Sequence, residues 1–357
     1  MADSKMARLA RREFLWGSGA AMVQLGPAHQ AERLVQGWMR EQKIPGAAVA
    51  VWRRGARVWS GVYGESDVEN RVAVSAATKF RIGSLSKLLT AAAAARLYEQ
   101  GRLDLDAPVE RYVPRFPDKG HPITARLLLG HLAGIRHYGR DEYLNRRRYE
   151  NVADTVAIFE DSPLLHEPGT KYAYSSYGFN LLGAVLEGAS GGSFLTCVRQ
   201  QVLDPIGMRS TMADEHDRII VNRGRYYSLA NGEVTNSPDT DLSDRWPSGG
   251  FLSTAEDLAL FGSAHLAGNF LKPRMREMMF TSQRTASGTE TGVGLGWRIG
   301  VVEGKKVFHH GGDAVGGRAF LLLRPDEEMV VAWVSNLTFS RIGEKEVMAI
   351  AQCFEMG

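Results

Sequence analysis

Cysteine is nearly absent from this chain. Only Cys197 and Cys353 occur among 357 residues, far apart and in no spacing that a metal ion uses. That argues against a disulfide framework and against a zinc site, and both thiols are expected to be buried and free. Long apolar runs are missing too. The best candidate, Leu88 to Leu97, is alanine-rich, contains Arg96 and is soon followed by Glu99 and Arg102. It falls short of the ~20 apolar residues that a membrane span needs and reads as a buried helix. Charge of one sign is lacking as well. Lys and Arg number 43 against 40 Asp and Glu, for a formal net charge of +3, and no basic run carries interleaved aromatics. Neither nucleic acid nor an acidic membrane is called for as a partner.

What is present is ordinary globular material, 44% hydrophobic and 23% charged, enough for one large core or two smaller ones. The N-terminus stands apart. Arg11-Arg12-Glu13-Phe14-Leu15, a short apolar run from Trp16 to Leu25, and then Gly26-Pro27-Ala28 resemble a twin-arginine export signal with cleavage near Ala28. The expectation is an exported or periplasmic protein with residues 1–28 as signal segment. A basic arm on a cytoplasmic protein is the alternative.

From Ala47, two β-rich runs surround a short glycine-containing connection, the pattern of a hairpin. Strand patterns return from Gly296 to Asn336, separated by short turns and one glycine-rich loop, so the sheet is expected to be antiparallel. A terminal helix over about Gly343 to Phe354 would cover one face. Helical periodicity dominates the middle: 87–100, 125–132, 152–159, 177–187, 194–203 and 255–266. Gly101 is placed as a C-terminal cap, and Thr254 as an N-cap with Asp257 in the first turn. Residues 30–105 with 250–357 are therefore expected to form one discontinuous α/β sheet domain, and 106–249 a mainly helical inserted lobe.

Three segments carry chemistry. In Ser84-Leu85-Ser86-Lys87 the serine and lysine stand three apart at the start of a helix, hence on one face. Serine needs a nearby base, and a desolvated lysine can lose its proton and act as one. Ser86, next to Lys87, is expected to project elsewhere. The second segment runs from Tyr172 to Gly183 after a Pro168-Gly169 turn. Tyr174 there either serves as a base, if cationic neighbours lower its pKa, or simply packs. The third is His309-His310-Gly311-Gly312, in a glycine-rich loop between strands. Its histidines are candidates to contact a substrate carboxylate or carbonyl, and an edge N–H to complete an oxyanion hole. Ser243-Asp244-Arg245 reads as an ordinary loop.

Taken together, these segments bring in a family. Phe80-Arg81-Ile82-Gly83-Ser84-Leu85-Ser86-Lys87 resembles the active-site helix of class C β-lactamases, DD-peptidases and their esterase relatives. Gly101 to Val109, Ile123 to Ile135 and Gly249 to Leu258 resemble further family segments in the correct order. Ile135-Arg136-His137-Tyr138 and Arg245 to Gly250 are similar to a mitochondrial branch and its bacterial relatives. The resemblance implies an α+β fold of the β-lactamase/transpeptidase type, an antiparallel sheet flanked by helices. It implies Ser84 as acylated nucleophile, Lys87 and Tyr174 as its acid–base partners, and the N–H groups of Ser84 and Gly312 as oxyanion hole. Ser176 stands where the family has the Asn of Tyr-x-Asn, and His309-His310-Gly311 where it has Lys-Thr-Gly. These four positions are the implied substrate contacts. The implied reaction is hydrolysis of a small ester, amide or short peptide without metal or organic cofactor. A DD-peptidase, a true β-lactamase and a catalytically silent binding or scaffold protein are the alternatives.

Overall fold

The computed structural model describes residues 26–139 and 142–355; the expected export segment lies almost wholly outside them. Helix α1 (Pro27–Gln42) opens on a proline, whose missing N–H is no loss at a helix start. It buries Ala31, Val35 and Met39, four apart, along one stripe. Strands β1 (Gly46–Arg53) and β2 (Ala56–Asp67) follow, joined by Arg54-Gly55. Both turn residues have positive φ, 51° and 77°, as a two-residue hairpin turn matched to strand twist requires. After β3 (Val72–Ala73) and β4 (Phe80–Arg81), a 3₁₀ turn over Gly83–Leu85 leads into α2 (Ser86–Glu99).

The middle of the chain holds helices α3 (Ala125–Leu129), α4 (Val152–Thr155), α5 (Ser176–Ser190), α6 (Phe194–Val198) and α7 (Asp204–Ile206). Short strands β5 (Met212–Ala213), β6 (Tyr227–Ala230) and β7 (Glu233–Asn236) come next, then α8 (Trp246–Gly249) and β8 (Phe251–Ser253). Helix α9 (Ala255–Ala267) starts as expected, with the Thr254 side chain accepting from Asp257 N, and α10 (Pro273–Met279) follows it. The chain closes with β9 (Arg298–Val302), β10 (Lys305–Ala314), β11 (Gly317–Arg324), β12 (Met329–Ser335) and α11 (Glu344–Cys353).

The main sheet has seven strands in the order β3-β2-β1-β12-β11-β10-β9, antiparallel throughout. The two ends of the chain meet at its centre, where Ala47 lies opposite Ser335 and Arg53 opposite Met329. Period-two alternation feeds two cores. Ala48, Ala50, Val330, Ala332 and Val334 join the core built with α2, α5 and α9. Ala47, Val49, Val51, Val331 and Trp333 pack against α1 and α11. Near-continuous apolar runs in β1 and β12 follow from this covering of both faces.

Two sequence expectations differ. The segment read as a glycine-rich loop is strand as far as Ala314, leaving Val315-Gly316 as the turn between β10 and β11. Its glycines serve a close approach of backbones, described below. Helix α3 stops at Leu129 rather than near Leu132, because Gly130 caps it and His131 turns left-handed at φ 57°.

A small sheet, β4-β8-β5, delivers the chain to Ser84. Beside it Arg81 is buried: Nε donates to Asp214 Oδ2 at 2.6 Å, Nη1 to Thr240 Oγ1 and Val315 O at 2.9 Å, and the guanidinium lies 3.7 Å over the Tyr226 ring. Asp214 also receives Tyr226 OH and Arg223 Nη1. Removing one partner of such a pair strands the other charge. Asp214→Ala is accordingly expected to cost about 3–5 kcal/mol, read as a lowered urea midpoint; an unchanged midpoint would refute this account.

Candidate active site

Gly83, at φ 50°, begins the 3₁₀ turn that sets Ser84 at the mouth of α2. Ser86 points away, as expected. Its Oγ donates to Gly83 O at 2.7 Å and accepts from Phe251 N at 3.2 Å, stapling the turn to β8. One helical turn beyond Ser84, in the first turn of α2, Lys87 is fully buried. Its Nζ stands 3.2 Å from Ser84 Oγ, 2.9 Å from Ser176 Oγ and 2.7 Å from Ser248 O. Burial, reinforced by the charge of Arg245, holds its pKa well below the ordinary 10.5. As a neutral amine Lys87 has two N–H donors, which match Ser176 and Ser248, and one lone pair, which is left for Ser84.

Tyr174 OH donates to Ser84 Oγ at 2.8 Å. The condition set for a tyrosine base, a pKa lowered by cationic neighbours, is not met. Burial pushes the Tyr174 phenol well above the ordinary range, and the hydrogen bond to Ser84 and Arg298 offset this only in part. Tyr174 OH thus stands as a hydrogen-bond donor on one side of Ser84 Oγ, with Lys87 Nζ on the other.

Ser176, at the start of α5, hydrogen-bonds Lys87, so its short side chain orients the lysine as well as lining the cleft. The Tyr174 loop is held by two histidines that sequence reasoning did not assign to it. His131 Nδ1 accepts from Ser175 N and His137 Nδ1 from Ser176 N, each at 3.1 Å. The His131 ring lies 4.5 Å from that of Tyr174, and that of His137 stacks on Tyr138 at 4.7 Å. Burial keeps His131 well below the usual histidine range and His137 at about 4, so both are neutral acceptors near pH 7. Both histidines lie in segments that carry the family resemblance, Ile123 to Ile135 and Ile135 to Tyr138, which is the signal that could have found them.

The strand β10 closes the other side. Its pairing with β9 runs from Lys305 opposite Val302 to His309 opposite Arg298, and the turn of Ser84 packs against the residues beyond. A Cβ on Gly312 would stand 1.9 Å from Ile82 O and 3.2 Å from Leu85 N; glycine is what lets the two backbones meet. His310 is buried, its Nδ1 2.6 Å from Gly311 O and its ring 6.3 Å from that of Tyr174. Burial, then the Lys87 charge, brings it down to about 3. His309 stands with Nε2 3.2 Å from Glu344 Oε2 and stacks on Phe320, and burial lowers it to about 4. Neither histidine reproduces the cation of a Lys-Thr-Gly lysine.

Ser243–Arg245, read from sequence as a loop, is a buried 3₁₀ turn in the wall of the site. Arg245 pairs with Asp244 at 2.7 Å, donates to Tyr143 O and Glu142 O, and lies 4.8 Å over the Tyr138 ring. Paired neighbours of opposite charge were the missed signal, since burial of either alone is costly. Ser84, Tyr174, Ser176, His309, His310 and Gly311 share one cleft of about 580 Å³. No group of three or more His, Cys, Asp or Glu side chains among the described residues is arranged to hold a metal ion. No single helix among them is long and apolar enough to cross a membrane.

A serine and lysine one turn apart, a tyrosine closing on the serine from the loop before α5, and the strand β10 beside them characterise the β-lactamase-like serine hydrolases. The family model described as Beta-lactamase matches residues 31–352, and the chain belongs to that family. It is 32% identical over 385 residues to the human mitochondrial serine beta-lactamase-like protein LACTB, covering 80% of this chain and 70% of that protein. An octameric penicillin-binding protein homologue from Pyrococcus abyssi superposes with a TM-score of 0.78 at 25% identity, covering 91% of this chain and 76% of the other. A D-stereospecific amidohydrolase from Streptomyces sp. has the same fold, with a TM-score of 0.77 at 22% identity over 92% of this chain and 99% of its own.

Proposed function

We propose that this chain is a serine hydrolase that acylates Ser84 with small esters, amides or short peptides and releases the product with water. The observation that carries the reading is the placement of Ser84 Oγ between a proton acceptor, Lys87 Nζ at 3.2 Å, and a proton donor, Tyr174 OH at 2.8 Å. As the Oγ–carbon bond forms, the neutral lysine takes the serine proton. Tyr174 supplies a proton to the leaving group as its bond to carbon breaks, and Lys87 returns its proton to Tyr174. Water then attacks the acyl-enzyme by the same groups run in reverse. The N–H groups of Ser84 and Gly312 are the assigned oxyanion donors, each worth about 10²–10³ in rate where such donors have been removed.

Ester and amide turnover is favoured over efficient β-lactam hydrolysis. Ser176 replaces the asparagine amide and is engaged by Lys87, and His309 is engaged by Glu344. The test is intact-mass analysis after treatment with a fluorophosphonate, with the adduct mapped and Ser84→Ala as control. One adduct, on Ser84 and absent from the variant, is the expected result. A folded protein that takes no adduct would replace the hydrolase reading with that of a silent binding or scaffold protein.

A further inference from the structure

The loop after β12 is pinned on both sides of one outward residue. Leu337 is buried, Thr338 N donates to Tyr227 O at 2.8 Å, and Thr338 Oγ1 accepts from Gly316 N at 2.7 Å. Ser340 and Ile342 are buried again. Between them Phe339 is 58% exposed and sits at φ 51°, a backbone conformation that side chains with a Cβ rarely adopt. A large apolar side chain held out to solvent on a strained, anchored backbone gains nothing for the fold. Such strain concentrates at ligand clamps.

Phe339 faces Tyr143, which comes from a distant loop. Their rings stack at 5.9 Å and 23°. Tyr143 is fixed from behind by Arg245, which donates to its carbonyl at 3.0 Å and lies 5.7 Å from its ring. The Tyr143 hydroxyl is shielded from solvent and has no hydrogen-bond partner among the described residues. Both rings line the cleft that contains Ser84, together with Leu242 and Val315. Arg298 and His309 line the far end of that cleft, and the charged groups nearest Tyr143 are Arg245 and Asp313. From His309 to Ala314 the strand β10 advances roughly 17 Å, with the Ser84 turn packed against the strand between its ends.

We propose that Tyr143 and Phe339 form an aryl subsite, and that the preferred substrates carry an aromatic or comparably bulky apolar group on one side of the bond cleaved at Ser84. This rests on the hydrolase reading for the word substrate, but the subsite itself is a binding site and is testable apart from turnover. Offset or edge contacts with two rings favour a flat apolar group over an alkyl group of the same charge.

The test uses the full chain carrying Ser84→Ala, so that no probe is consumed, and compares phenylacetylglycine with acetylglycine by calorimetry. Binding of the aryl probe is expected to be about 3- to 10-fold tighter. Adding Phe339→Gly is expected to abolish that advantage while leaving the melting temperature equal or higher, because glycine adopts positive φ freely. Equal binding of the two probes, no binding of either, or an aryl preference that survives Phe339→Gly overturns the proposal. Fluorophosphonate labelling of the parent chain separates the two readings. An adduct on Ser84 without aryl preference removes the subsite alone, and aryl preference without an adduct removes the hydrolase reading alone.

Discussion

Replacing Lys87 with methionine is expected to lower kcat/KM for a small ester by about 10²–10⁴-fold, the range for loss of a positioned general base, with little change in KM. The side chains are similar in length, and the loss would fall on the transition state. Three contacts define the lysine's task. The carbonyl of Ser248 at 2.7 Å and the hydroxyl of Ser176 at 2.9 Å can take both protons of a neutral amine, which leaves the lone pair towards Ser84 Oγ at 3.2 Å. No other side chain among the described residues offers an unprotonated nitrogen within hydrogen-bond distance of that oxygen. A Lys87→Met variant with parental kcat/KM would eliminate Lys87 as base and leave the tyrosine assignment to be rebuilt.

The pH profile follows from the same burial. Lys87 acts when neutral, and its neutral fraction grows as pH rises through its pKa, so activity is expected to rise with pH. Because desolvation and Arg245 hold that pKa well below 10.5, the rise is expected to be complete before the range where an exposed lysine titrates. Tyr174 must keep its proton, and its pKa is raised, so the alkaline fall is displaced beyond the ordinary tyrosine range. His137 at about 4 and His310 at about 3 lose their protons on the acidic side and contribute no limb near neutrality. A profile of kcat/KM against pH with its ascending limb centred near 10 would contradict this electrostatic picture.

What was legible in the sequence was local. The hairpin at Arg54-Gly55, the Thr254–Asp257 cap and the Ser84–Lys87 pair depend on residues within a few positions of one another, where propensity and spacing act directly. The antiparallel order of β9 to β12 followed from short turns for the same reason. What failed depended on distant partners. Tyr174 was open to reading as a base because cations nearby lower a phenol pKa; burial, which raises it, is set by the packing around it and outweighs them. Asp244 and Arg245 look like loop residues until each buries the other's charge. His137 takes Ser176 N only because the 131–138 segment folds under the start of α5. Gly311 and Gly312 suggest flexibility in isolation, whereas in the fold both are strand residues, and Gly312 faces backbone that arrives from Ile82.

That last contact carries the second large expected effect. Gly312→Ala adds a single methyl group, yet its Cβ would lie 1.9 Å from Ile82 O and 2.9 Å from Ile82 C. Both obstructing atoms are backbone, so no side chain can swing aside. Separation to ordinary contact requires a shift of about 1.5 Å between β10 and the turn that carries Ser84. The turn cannot yield cheaply. Ile82 N donates to Phe251 O at 3.0 Å, Ser86 Oγ bridges Gly83 and Phe251, and the preceding Arg81 is locked to Asp214. Overpacking of this kind costs about 1–3 kcal/mol, and a misplacement of about 1 Å at reacting groups costs about 10²-fold in rate. Gly312→Ala is therefore expected to remain folded, to melt several degrees lower, and to lose at least about 10²-fold in the rate of fluorophosphonate labelling. Gly224→Ala, where the nearest atom to the new Cβ is 3.5 Å away, is the matched control and is expected to label at the parental rate. Parental labelling by Gly312→Ala would show that the turn of Ser84 does not depend on its seat against β10.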